Sequence, residues 1–175
     1  MSSHQHNVDI QARVSFLDQV CRFLAVVGAL VLVALSIITV ISVIGRYLFG
    51  TPVDGDFELV EMGCAVGIAL FLPYCQLRNG NVIVDFVTAR APVSMKNVLD
   101  AFGCLLISLA GFVLAWRLAL GGYDLQRYND QTMVLHINTW YAYVVIVPSF
   151  ALLGIVGLVT AVRALKNQLP PNEAL

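Results

Sequence analysis

The stretch FLAVVGALVLVALSIITVISVI, residues 23–44, decides the fold. It runs for about 22 residues without one charged side chain, and a bilayer core about 30 Å thick takes about 20 such residues as a helix. A cleaved signal peptide has an apolar core of only about 7–15 residues closed by a small-residue cleavage pattern, which this run lacks. The segment is therefore expected to remain as a membrane anchor. The rest of the chain agrees. Its 175 residues are 59% hydrophobic and 12% charged, whereas a soluble domain carries about 25% charged residues. The mean hydropathy is +0.82. Ten basic against eleven acidic residues give a net charge of −1, which supplies no basic field for nucleic acid. The length allows one compact bundle and excludes a large catalytic domain beside it.

Three more apolar stretches follow, at about 60–77, 98–120 and 140–162. Each must be helical, because an open strand would leave its amides unpaired in hydrocarbon. The expected fold is an all-α membrane protein of four transmembrane helices with short amphipathic interfacial helices. Arg13, Arg22, Arg78, Arg90, Lys96, Arg163 and Lys166 fall on the side of the termini and the second connection, against Arg46, Arg117 and Arg127 on the other. Seven cations against three place both termini in the cytoplasm. Trp116, Trp140, Tyr141 and Tyr143 would then form an aromatic belt at the outer interface.

Residues 1–22 read as a cytoplasmic amphipathic segment, since Ile10, Val14, Leu17 and Cys21 recur at helical spacing. The transmembrane domain covers 23–162. Within it, about 81–90 forms a second interfacial helix, in which Val82, Ile83, Phe86 and Val87 make an apolar face beside Asp85. Residues 163–175 are a polar cytoplasmic tail, so the chain is expected to end as a separate polypeptide.

The spans lack the groups that move ions. Ionisable residues in mid-membrane usually mark ion or substrate paths, and the span centres here read Val33-Ala34-Leu35, Val66-Gly67-Ile68, Ile107-Ser108-Leu109 and Phe150-Ala151-Leu152. Cys21, Cys64, Cys75 and Cys104 show no CxxC or metal-ligand spacing and read as small buried hydrophobes. The outer connections contain no cysteine, which argues against a disulfide-generating quinone oxidoreductase. His4, His6 and His136 all lie outside the spans, which argues against a haem anchor. Neither metal nor cofactor is expected. The remaining alternative is a small self-sufficient four-helix transporter or multidrug exporter using Glu61.

What the spans do have is small residues: Gly63 and Gly67 as a GxxxG, then Gly111, Ala115 and Ala119, then Gly157 and Ala161. In lipid, helices associate by close backbone approach at such residues. The Gly63–Gly67 seam serves either packing within the bundle or a partner subunit. On this reading Gly67→Leu should disturb assembly more than Ser108→Leu.

The connection between the first two spans, GRYLFGTPVDGDFELVE at 45–61, carries Arg46, Asp54, Asp56, Glu58 and Glu61. Glu58 and Glu61 share a helix face at an N-terminus, where the dipole favours anions. Arg46 ends the preceding helix within reach of that pair. The expectation is an ion-paired corner that fixes the hairpin or meets another subunit, with Glu61 the carboxylate most in need of a partner.

This stretch, followed by an apolar span and RNGNVIVDF at 78–86, resembles the DctQ-like small membrane subunit of tripartite ATP-independent periplasmic (TRAP) transporters. The family's arginine, turn proline, acidic pair and Gly-x-x-x-Val-Asp-like motif correspond to Arg46, Pro52, Glu58 with Glu61, and Gly80 with Val84 and Asp85. Thr132, Leu135, Ile137, Trp140 and Pro148 match a later feature. The sequence departs from the pattern at Phe57, where a tryptophan is usual, at Asn81, where a histidine is usual, and in the split of its acidic pair by Leu59 and Val60. The resemblance implies a non-catalytic, multi-pass protein of the bacterial inner membrane. Its implied partners are a large membrane subunit carrying sodium and a carboxylate-bearing organic solute, and a soluble periplasmic substrate-binding protein, which this chain helps to dock. Arg46, Glu58, Glu61, Gly63, Gly67, Asp85 and Trp140 are the candidate subunit contacts. Sodium is expected in the large subunit and not here.

Overall fold

The computed structural model describes residues 2–51, 53–78 and 93–165, the side chains of 2–16, 93–98 and 165 excepted. The interfacial helix expected at 81–90, Asp85 with it, lies outside them. Four helices make up the described residues: α1 (Ser2–Phe49), α2 (Asp56–Leu77), α3 (Val93–Arg127) and α4 (Trp140–Leu165). All four are long and apolar enough to cross a membrane. The amphipathic N-terminal segment and the first span are one continuous helix.

The helix ends follow from local chemistry. Gly50 takes φ +69° and donates its N–H to the Arg46 carbonyl at 3.2 Å, a left-handed cap that stops α1. Gly55, φ +77°, turns the chain into α2, whose first turn carries Asp56 and Glu58 against the exposed amides. α3 ends on Asn129, φ +50°, with Asn129 N–H on the Gln126 carbonyl at 3.3 Å and Asp130 N–H on Leu125 at 3.1 Å. That paired arrangement satisfies the last free carbonyls of the helix.

α1 packs on α2, α2 on α4, and α4 on α3, so α2 and α4 are the central pair. Ala69, Ala142 and Ile146 form a core with Met62, Val66, Leu118 and Phe150 around it. α4 is the most enclosed span and α1 the least, its Phe23, Leu30, Val33, Ile37 and Val40 facing outward. No Asp, Glu, Lys or Arg occurs in 23–45, 62–77, 101–116 or 140–162. The buried polar side chains inside these segments are hydrogen-bonded. Ser149 and Thr160 donate to carbonyls one turn back, at 2.9 and 2.8 Å, and Gln76 donates to the Cys104 sulfur at 3.4 Å. An unsatisfied polar group in hydrocarbon would cost several kcal/mol.

The small-residue seams are used inside the bundle. A Cβ on Gly67 would meet Leu32, and Gly28 of α1 lies against the Gly67 carbonyl. Gly63 is covered by Leu35. The GxxxG of α2 is therefore occupied by α1. A second close crossing joins α3 and α4. A Cβ on Gly111 would lie 2.9 Å from the Gly154 nitrogen, and one on Gly157 would lie 2.9 Å from the Ser108 Cβ. Ser108 is buried and donates to the Gly154 carbonyl at 2.8 Å. Ser108 thus lies in a close seam of its own, which argues against the expectation that Ser108→Leu is the milder change.

Candidate functional site

The end of the bundle where α1 turns into α2 and α3 into α4, here the hairpin end, gathers the charged candidates. Its first unit is Ser42–Asp56. The buried Ser42 hydroxyl donates to Asp56 Oδ2 and accepts the Val53 N–H at 3.3 Å. Asp56 Oδ1 accepts the Phe57 N–H at 2.8 Å. Arg46 reaches Asp56 Oδ2 at 3.9 Å. The expected ion-paired corner is present, but its acid is Asp56 and not Glu58 or Glu61. The guanidinium is about half exposed, so the pair adds little beyond direction. Ser42, one helical turn before Arg46 on the same face, closes the corner.

Glu58 has a different task. Its two oxygens accept the successive backbone N–H groups of Val134 and Leu135, at 2.8 and 3.0 Å. A carboxylate bridging two adjacent amides holds them as a fork, with charge-assisted bonds. The segment it holds is a small hairpin between α3 and α4. Gln131 and Asn138 pair across it, Thr132 N–H donates to the Ile137 carbonyl at 2.9 Å, and Ile137 N–H returns to the Thr132 hydroxyl at 3.1 Å. His136, φ +53°, makes its bend. Leu135 rests on Gly55, where a Cβ would stand 2.8 and 2.9 Å from its methyl carbons, so a glycine is required there for space as well as for conformation. Glu58 and Gly55 together strap this hairpin to the start of α2. Met133 at its tip is 91% exposed.

Glu61 is exposed and has no hydrogen bond or ion pair among the described residues. It stands at the mouth of a groove of about 890 Å³ bounded by α2, α3, α4 and the hairpin, with Met62, Ala65, Leu114, Leu118, Ala142 and Phe150 among its walls. Trp140 opens α4 and stacks on Tyr141 with centroids 4.5 Å apart. Gly63 and Gly67 face α1, on the same side of α2 as Asp56 and away from Glu58 and Glu61. At the opposite end, Arg78 lies 3.9 Å from Asp18 and over the Tyr74 ring, linking the end of α2 to α1.

Sequence reasoning missed the Ser42–Asp56 bond, the Leu135–Gly55 contact and the Ser108–Gly154 bond. Two signals for them exist. Ser42 and Arg46 are four apart, and the Gly55-Asp56 pair has the form of a turn followed by a helix-opening acid. Among the described residues no three His, Cys, Asp or Glu side chains converge as a metal site, and all four cysteines are free thiols.

The described residues form an all-helical membrane protein with no Asp, Glu, Lys or Arg in the central segments of its four spans and with a hairpin strapped over one end. The chain belongs to the family described as Tripartite ATP-independent periplasmic transporters, DctQ component, whose profile matches residues 35–167. It is thus the small membrane component of a TRAP transporter, in the bacterial inner membrane, a system that also comprises a large membrane subunit and a binding protein. No curated protein and no solved structure matches the chain.

Proposed function

We propose that this chain is the non-catalytic strut of a sodium-driven, binding-protein-dependent transporter for carboxylate-bearing organic solutes. It braces the large membrane subunit, which binds sodium and solute, and its hairpin end helps to dock the soluble binding protein. Both termini lie in the cytoplasm, and the hairpin end faces the periplasm, as the seven-to-three distribution of cations favours. The observation that carries the reading is the absence of any Asp, Glu, Lys or Arg from the central segments of the four spans, while the buried Ser108, Ser149 and Thr160 there each donate to a backbone carbonyl. A coupling ion crossing such a bundle would have no side chain to bind it.

The test is reconstitution in liposomes under an inward sodium gradient. The chain alone is expected to accumulate no solute. The large subunit with the binding protein should regain full uptake only when this chain is added. Sodium-driven uptake, or proton-coupled drug export, by the chain alone would overturn the proposal, and loss of that activity in Glu61→Gln would establish the exporter alternative.

A further inference from the structure

Three carboxylates open α2, and the structure treats them differently. Asp56 is held by Ser42 and Arg46, and Glu58 by the Val134 and Leu135 amides. Glu61, one turn deeper, is held by nothing among the described residues. It faces a groove whose lining includes Glu58, Glu61 and Asp130 and no Lys, Arg or His. Below this acidic mouth the walls are apolar. Along α4 the groove runs from Ala142 to Phe150, eight residues or about 12 Å at 1.5 Å per residue. That is more than a third of a hydrocarbon core about 30 Å thick, so its occupant is an element of the membrane and not a soluble protein. Ala65, Ile68 and Leu114 are exposed along it above a floor that includes the buried Ala69 and Ala142, and at Ala65 the wall is little more than backbone, which lets another helix approach closely.

We propose that this groove seats a transmembrane helix of the large subunit, and that a Lys or Arg on that helix pairs with Glu61. The inference rests on the bracing role proposed above and gives it a location and a chemistry. A carboxylate at the membrane edge, without a cation among the described residues, thereby gains a charge partner. The apolar slot beneath then fixes the depth and register of the partner helix.

The experiment uses the whole complex in native membranes. A photo-crosslinking phenylalanine is placed at Met62 or Leu114 in the groove, and at Val33 or Ile37 on the outward face of α1, followed by peptide mapping. The groove positions are expected to capture a helix of the large subunit that contains a Lys or Arg. In parallel, Glu61→Lys should reduce recovery of the large subunit by about tenfold or more, as expected when a desolvated charge pair is reversed, and a Glu at the mapped cation should restore it. Ala65→Trp fills the groove with Glu61 intact and should lower recovery as well. Capture of phospholipid, of a second copy of this chain, or of nothing from the groove overturns the proposal, as does unchanged recovery with Glu61→Lys. Capture of the large subunit only from Val33 or Ile37 overturns the location and leaves the bracing role standing. If the unaltered chain recovers no large subunit at all, the bracing role itself fails.

Discussion

Gly111→Ala is the sharpest available probe of the α3–α4 seam. The added Cβ would lie 2.9 Å from the Gly154 nitrogen, 3.1 Å from its Cα and 3.2 Å from the Phe150 carbonyl oxygen. All three are backbone atoms, so no rotamer change relieves the clash. Ordinary contact begins near 3.4 Å, so the helices must part by roughly 0.5 Å at their closest point, which falls in the range where overpacking costs about 1–3 kcal/mol. The same shift lengthens the 2.8 Å bond from Ser108 to Gly154, and interhelical bonds of this kind are worth about 0.6 kcal/mol in membranes. Against this, any Gly→Ala change inside a helix gains about 0.5–1 kcal/mol of backbone propensity. Gly103→Ala provides the reference. It lies on the same helix, with nothing within 4 Å of its added Cβ, and so receives the propensity gain alone. The difference between the two variants should be about 1–3 kcal/mol, a factor of roughly 5–150 in the folding equilibrium, read by steric trapping or denaturant titration in lipid micelles. If the two variants agree within about 0.5 kcal/mol, the close crossing at Gly111 and Gly154 does not exist.

Gly67→Ala should cost less than Gly111→Ala in the same assay, because its Cβ meets the end of the Leu32 side chain, which can turn away. Ser108→Leu should destabilise at least as much as Gly67→Leu, since the longer side chain has no room beside Gly157 and the bond to Gly154 is lost; a Ser108→Leu protein as stable as the parent would contradict the seam. Glu58→Gln removes the charge from the strap, and hydrogen exchange at the Val134 and Leu135 amides should quicken while exchange in mid-α4 stays unchanged. Equal protection in both proteins would show that the hairpin stands without Glu58. Arg46→Ala should alter stability by no more than about 1 kcal/mol, the ceiling for an exposed pair, whereas Ser42→Ala should cost more because it removes two bonds of a buried hydroxyl at once, to the Asp56 carboxylate and from the Val53 N–H. The reverse ranking would refute the assignment of Ser42 as the centre of that corner.

The span count was legible because it depends on composition over about 20 residues, and no tertiary contact can turn 23–44 or 140–162 into anything but a membrane-spanning helix. The helical start of α1 was legible from spacing alone. What the sequence could not rank was the set of seams. Gly63-x-x-x-Gly67 is the textual motif, yet an equally close crossing lies at Gly111 and Gly154, two glycines on different helices whose facing is written in neither sequence stretch. Which small residues face each other is decided by the rotation and depth of two whole helices, quantities set jointly by every contact along them. A single bond such as Ser108 to Gly154 inherits that indeterminacy.

The charges of the hairpin end were misassigned for a reason that arithmetic on the helix could have caught. At about 100° per residue, Glu58 stands about 200° from Asp56 around α2, and Glu61 about 140°. The last two are therefore neighbours on one side and Asp56 faces the other. Only one of these sides can face α1, which brings Arg46 and Ser42. Because α1 and α4 both pack on α2, the acid that meets Arg46 must be the one opposite the pair, and the pair must look toward the α3–α4 hairpin. Glu58, the earlier of the two, is at the level of that hairpin and takes its amides. Glu61 lies about 4.5 Å deeper at 1.5 Å per residue, below the reach of the hairpin bonds and above the apolar walls of the groove. One helix opening thus divides three like charges among three elements. Two of them close the fold of this chain, and the third is left pointing at whatever stands against α2 and α3 in the membrane.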